Sequence, residues 1–166
     1  MKFLTVILML FAGIAAAQDR TEADKYGGRL AQCYASTKTS AKLDCVGYVS
    51  EACMDGETDG ETTVGMVRCA AGETQVWDDF LNDEYRKTMA MMEQMDADDG
   101  SNGFGVRAGR LREAQRAWIA FRDAECALSY AYWGAGSMRS IAGSQCLLEL
   151  TAERTVKLLQ MREIVQ

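Results

Sequence analysis

Gln115-Arg116-Ala117-Trp118-Ile119-Ala120-Phe121-Arg122-Asp123-Ala124-Glu125-Cys126 and Cys146-Leu147-Leu148-Glu149-Leu150-Thr151-Ala152-Glu153-Arg154 decide the fold. Each stretch repeats apolar residues at three- and four-residue spacing, the period of an α-helix. Between them lies Trp133-Gly134-Ala135-Gly136-Ser137, a glycine-broken turn. Cys126 and Cys146 are equidistant from Gly136. In an antiparallel helical hairpin such residues lie opposite each other, so the spacing predicts two helices stapled by a disulfide.

The other cysteines also lie at equal distances from candidate turns. Cys33 and Cys45 straddle Thr39 in the polar run Ser36-Thr37-Lys38-Thr39-Ser40, and Cys53 and Cys69 straddle Glu61 beside a glycine-rich acidic loop. The expected bridges are therefore Cys33–Cys45, Cys53–Cys69 and Cys126–Cys146, with 33–53 plus 45–69 as the rival arrangement among fifteen connectivities.

Periodicity then places the other elements. A modest helix is expected over 21–36 and a second over 41–54. A long one should span about 64–95, capped by Thr62 or Thr63, with Val67, Ala70, Trp77, Leu81, Tyr85, Thr88, Met92 and Met95 inward. A fourth covers 106–132, with Leu111, Ala114, Trp118, Phe121, Leu128 and Tyr132 inward. An irregular connector is expected over 134–143 and a last helix over 144–165. The chain has no proline, in keeping with uninterrupted helices. The reading is all-α, a small bundle of antiparallel hairpins stapled by disulfides.

The first residues set an expected compartment. Met1-Lys2 is a basic start, Phe3 to Ala17 is apolar, and Ala15-Ala16-Ala17 precedes polar Gln18-Asp19-Arg20. That is the layout of a secretory signal peptide over 1–17, too short for a comfortable membrane span. No later run could span a bilayer. Six cysteines in an exported chain read as disulfides, so a periplasmic or secreted home is expected. The remaining chain divides into a stapled amino-terminal region, 18–62, and a helical domain, 63–166.

The 166-residue chain carries 18 basic and 24 acidic residues, and no histidine. Removing Lys2 with the leader leaves a net charge of −7. This disfavours nucleic acid and favours basic partners. Without histidine there is no imidazole triad, zinc site or general base. No catalytic residue, metal or cofactor is expected.

Gln115, Trp118, Phe121, Arg122, Asp123 and Cys126, then Gly136-Ser137, then Cys146, Leu150, Thr151, Arg154 and Leu158 form a pattern that resembles the LprI-like lysozyme-inhibitor family. Cys69, Asp78, Leu81, Asn82 and Tyr85 extend it upstream, so that it covers about 69–158. The resemblance implies a helical, disulfide-bonded fold and inhibition of lysozyme-type muramidases by protein contact. The mycobacterial member that gives the family its name looks lipid-anchored, whereas no cysteine stands at the cleavage site here.

Several side chains invite a role. Arg154 lies in an apolar stripe, so a buried guanidinium is expected to find Asp123 or Glu125 on the facing helix, in a network with Asn82, Tyr85, Arg122 and Thr151. Trp133 and Ser137 at the turn, and Asp55, Glu57 and Asp59 in the acidic loop, are interface candidates. The loops 55–61, 96–103 and 133–140 could each meet a partner. The acidic loop begins like a calcium site but places Met66 where a bidentate glutamate is needed. Met89, Met92 and Met95 could bind copper or pack as a core stripe. The expected partner is a basic muramidase or another basic envelope protein. The alternatives are a non-inhibitory envelope adaptor and a small metal-binding protein.

Overall fold

A computed structural model describes residues 6–100, 103 and 105–164, with side chains from Arg20 onward. The proposed leader, 1–17, lies outside the described side chains. Five α-helices and one 3₁₀ segment make up the fold, with no strand among the described residues. They are α1 (Val6–Ser36), the 3₁₀ segment (Thr39–Cys45), α2 (Tyr48–Gly56), α3 (Thr63–Asp98), α4 (Arg107–Tyr132) and α5 (Met138–Glu163).

Helices α3, α4 and α5 run up, down and up. Trp77 meets Thr155 and Glu84 meets Arg162, so α3 and α5 lie side by side in the same direction. Threonines tie them together. Thr88 Oγ1 lies 3.2 Å from the Leu158 carbonyl, and Thr155 Oγ1 lies 3.3 Å from that of Trp77. Each hydroxyl also sits near its own i−4 carbonyl, so its polar atoms are satisfied while fully buried.

The core has two parts. Trp77 is fully buried, with Tyr34 edge-on at 5.6 Å and Phe80 at 5.9 Å. Around it gather Ala23 and Leu30 of α1, Cys45, Val49 of α2, and Leu148, Ala152 and Val156 of α5. The amino-terminal elements thus pack directly on α3 and α5. The second cluster is Leu81, Leu111 and Leu158, with Tyr85, Met89, Met92, Trp118 and Met161 against it. The flexible thioethers of Met89 and Met92 fill this irregular space between helices.

All three expected disulfides are present, with Cα atoms 5.9 Å apart in Cys33–Cys45, 5.5 Å in Cys53–Cys69 and 5.4 Å in Cys126–Cys146. Thr62 caps α3 as expected, its Oγ1 accepting from Gly65 N at 3.0 Å.

Three expectations are corrected. The helix over 41–54 is instead a 3₁₀ segment and α2, broken at Gly47, whose φ of 104° suits only glycine. The connector over 134–143 shrinks to a short turn, because α5 begins at Met138. The inward face of α4 is rotated from the apolar stripe. Leu111 and Cys126 are buried, and Gln115, Trp118, Arg122 and Ser129 are half-buried, while Ala114, Phe121, Leu128 and Tyr132 are exposed. The disulfide fixes this rotation, since Cys126 must face Cys146 on α5.

Candidate functional site: the end of the α4–α5 hairpin

The hairpin end is built by a clamp and a turn. Cys126–Cys146 holds the two helices together two to three turns below the tip. Gly143 permits their close approach: a Cβ there would stand 3.3 Å from the Tyr130 Cβ. The turn itself needs Gly134 at φ 54°. With the chain held this way, the side chains at the tip have little to pack on. Tyr132 is 83% exposed, Trp133 is 47% exposed with its ring edge-on to Tyr132 at 6.1 Å, and Met138 lies beside the turn, also exposed. Ser137 is exposed and takes the cap position of α5 without a side-chain cap bond. Below the tip, a cleft of about 530 Å³ opens between α3 and the hairpin. Its floor is apolar, with Val67, Ala71, Ala127 and Leu147, and Tyr130 and Asp123 stand among its walls.

The predicted polar network is distributed differently. Arg154 Nε donates to Gln115 Oε1 at 2.9 Å, not to Asp123 or Glu125. Its Nη2 is buried with no acceptor among the described residues. Burial lowers the Arg154 pKa from its ordinary value, and the nearby Tyr85 opposes that shift. Its guanidinium lies over the Trp118 ring at 5.8 Å, and that of Arg122 over the same ring at 5.1 Å. Arg122 donates to Asp123 Oδ1 at 2.8 and 3.0 Å. Asn82 is on the exposed side of α3, bonded to Asp78 at 2.9 Å, and Thr151 is buried with its hydroxyl on the Leu147 carbonyl. The structure brings Arg122 and Arg154 together through Trp118, with Tyr85 near Arg154. Asp123 joins at the rim through Arg122. The other two serve α3 and α5 locally.

The acidic loop is more neutralised than its sequence suggests. Asp59 receives a two-pronged pair from Arg68, at 2.7 and 2.8 Å, and Arg68 Nε lies 3.2 Å from Glu22. Glu57 pairs with Lys25 and accepts from Tyr26 Oη at 2.8 Å. The Arg68 hydrogen bonds hold the Asp59 carboxyl below its ordinary pKa, and the Lys25 and Tyr26 hydrogen bonds do so for Glu57. Asp55 lies apart, exposed, in a cleft of about 480 Å³ between α1 and α2 beside Arg29, Tyr48 and Glu51. Of the region 96–103, Asp96 anchors α4 by accepting from Arg107 N at 3.0 Å and Ala108 N at 2.9 Å, while residues 101 and 102 lie outside the described ones.

One residue escaped the sequence reading. Glu73 is completely buried, yet accepts from Gly47 N at 2.6 Å, Val49 N at 3.0 Å, Ser50 N at 2.7 Å, Ser50 Oγ at 2.6 Å and Trp77 Nε1 at 3.3 Å. It supplies from α3 the cap that α2 lacks in its own sequence, since Gly47 has no side chain to offer. The available signal was its position one turn before Trp77 on the buried stripe.

The family model described as "Lysozyme inhibitor LprI" matches residues 53–158. These residues include α4, the turn and α5 as far as Leu158, with the hairpin disulfide and the Trp118–Arg154 cluster. An uncharacterized protein of Rhizobium meliloti (strain 1021) is 36% identical over 97 residues, covering 57% of this chain and 70% of that one. No solved structure matches. With more than half of its length matched, the chain belongs to the LprI lysozyme-inhibitor family.

Proposed function

We propose that the chain is an extracytoplasmic binding protein that blocks a basic muramidase by protein contact, with the α4–α5 hairpin end as its contact surface. One observation carries the choice of surface. Tyr132, Trp133 and Met138 stand exposed on a turn that a disulfide holds rigid. Large aromatics in a preorganised setting are the usual anchors of an interface, because little side-chain entropy is lost on binding. The acidic loop is the weaker candidate, since Glu57 and Asp59 already have cationic partners. The net charge remains useful in another way. An acidic chain (−6 in full) is drawn toward a basic enzyme, which raises the association rate more than the affinity.

Three disulfides fit an oxidising compartment and the leader proposed for 1–17. No helix among the described residues is long and apolar enough to cross a membrane.

The test is a muramidase lysis assay with the purified mature chain, the wild type beside Trp133→Ala and Tyr132→Ala. Inhibition by the wild type, reduced at least tenfold in each variant while folding is unchanged, is expected; a central interface aromatic is worth about 2 kcal/mol or more on truncation. Full inhibition by both variants would remove the hairpin end from the mechanism. No inhibition of any muramidase by the wild type would leave the adaptor reading.

A further inference from the structure

We propose that two copies of the chain associate through the outward faces of their α4 helices, packed antiparallel. The face comprises Ala114, Ala117, Phe121, Ala124, Leu128 and Ala131. All six are exposed, with Phe121 at 54% and Leu128 at 61%. Their spacing alternates three and four residues without a break. That is the register of a helix packed along its length against another helix, as in a coiled coil. It does not serve the fold, because Gln115, Trp118, Arg122 and Cys126 form the opposite face toward α5. The apolar register of α4 is therefore complete and has no partner within the chain.

Size and charge identify the occupant as a second copy. When the helix is laid antiparallel on itself, Phe121 meets the second copy's Ala124, and Ala117 meets its Leu128. Ala114 then meets its Ala131. Every layer pairs a large side chain with a small one, or two small ones, so the separation of the helices stays even. Parallel pairing would instead set Phe121 on Phe121 and Leu128 on Leu128 between alanine layers, leaving gaps that a straight helix cannot close. The antiparallel register also carries Arg110 to the carboxyl end of the second copy's α4. There, the negative end of the helix dipole favours a positive charge. The twofold contact is self-complementary, as a closed dimer requires. It leaves Trp133 and Met138 at opposite ends of the pair, while Tyr132, which continues the Phe121–Leu128 stripe, borders the second copy's Ala114, so the dimer seam and the proposed contact surface meet at that one residue.

Sedimentation velocity on the full mature chain, from dilute to the highest soluble concentration, tests the proposal. The expected result is a rise in mass from one chain to two. Phe121→Glu should hold the mass at one chain at every concentration, with an unchanged circular-dichroism spectrum and, at the dilute end where the wild type is also one chain, an unchanged melting temperature. Orientation is read by cross-linking with a short thiol-specific reagent. Ala117→Cys mixed with Leu128→Cys should cross-link, and neither variant should do so alone. A wild type that stays monomeric, a dimer that survives Phe121→Glu, or efficient cross-linking of either variant with itself would each overturn the proposal. A muramidase lysis assay on Phe121→Glu separates the two ideas, since hairpin-end inhibition requires no dimer.

Discussion

Replacing Glu73 with alanine should be the most damaging single change outside the disulfides. The side chain is wholly buried, and its two oxygens accept from three backbone N–H groups, one hydroxyl and one indole N–H. Alanine would leave those donors without their acceptor where the packing admits little water. Each unsatisfied buried donor costs about 1–3 kcal/mol. Even if Ser50 Oγ and Trp77 Nε1 find other partners, the three N–H groups at the start of α2 remain, for a loss of at least about 3 kcal/mol. That is a large share of the roughly 5–15 kcal/mol by which such a domain is stable. Glu73→Gln discriminates further. Its carbonyl oxygen can serve Val49 and Ser50, but its amide group would face both Gly47 N–H and Trp77 Nε1–H and lose those bonds, a cost of about 1–3 kcal/mol each. Urea unfolding under non-reducing conditions, followed by tryptophan fluorescence, reads both through Trp77. A loss below about 1 kcal/mol for Glu73→Ala would refute the reasoning that this carboxylate holds α2 to α3.

Other expectations follow from the same contacts. Arg154→Ala should cost about 1.5–3 kcal/mol, the range for a hydrogen bond involving a charged group, because its partner Gln115 is neutral and is not left as a stranded charge; thermal melts of the purified variant measure it. Removing Cys126–Cys146 by a double serine substitution should cost about 3 kcal/mol from loop-closure entropy, and should weaken muramidase binding in calorimetry beyond the loss of folded protein. Acid should loosen the loop around Glu57 and Asp59. Both carboxyls have folded pKa values below their ordinary ones, so their contribution is full above about pH 4–4.5 and fades as pH falls through the lowered values. Limited proteolysis at Asp55–Glu61 against pH tests this, and Asp59→Asn should flatten the response. Association with a basic muramidase should slow as salt rises, while dissociation changes little, in surface plasmon resonance.

The parts of the fold that were legible in sequence were those set by spacing. Cysteine pairs straddling polar turns located three hairpins, and the length of α3 followed from its helical period. What spacing does not specify is the rotation of a helix about its axis when polar residues face inward. The fourth helix carries an apolar stripe through Phe121 and Leu128, and hydrophobicity alone turns that stripe to the core. The bridge at Cys126 and the half-buried Gln115, Trp118 and Arg122 decide otherwise. A similar limit hid Glu73. A charged residue reads as solvent-facing until the amino-terminal turn of a distant helix is seen around it. At the hairpin end, Trp133 was legible because a helix that stops at glycines leaves its last aromatic uncovered.

The buried Glu73 also bears on where this protein can be cut. The family match begins at residue 53, yet the groups Glu73 receives lie at 47, 49 and 50, and Trp77 is packed by Leu30 and Tyr34. A fragment trimmed to the matched segment would strip the Glu73 carboxylate of every donor but Trp77 Nε1 and uncover one side of the Trp77 indole. The limits of a recognisable sequence pattern and those of an autonomous folding unit therefore fall in different places. For recombinant expression, and for the evolutionary shuffling of this domain, the helices ahead of the pattern must travel with it.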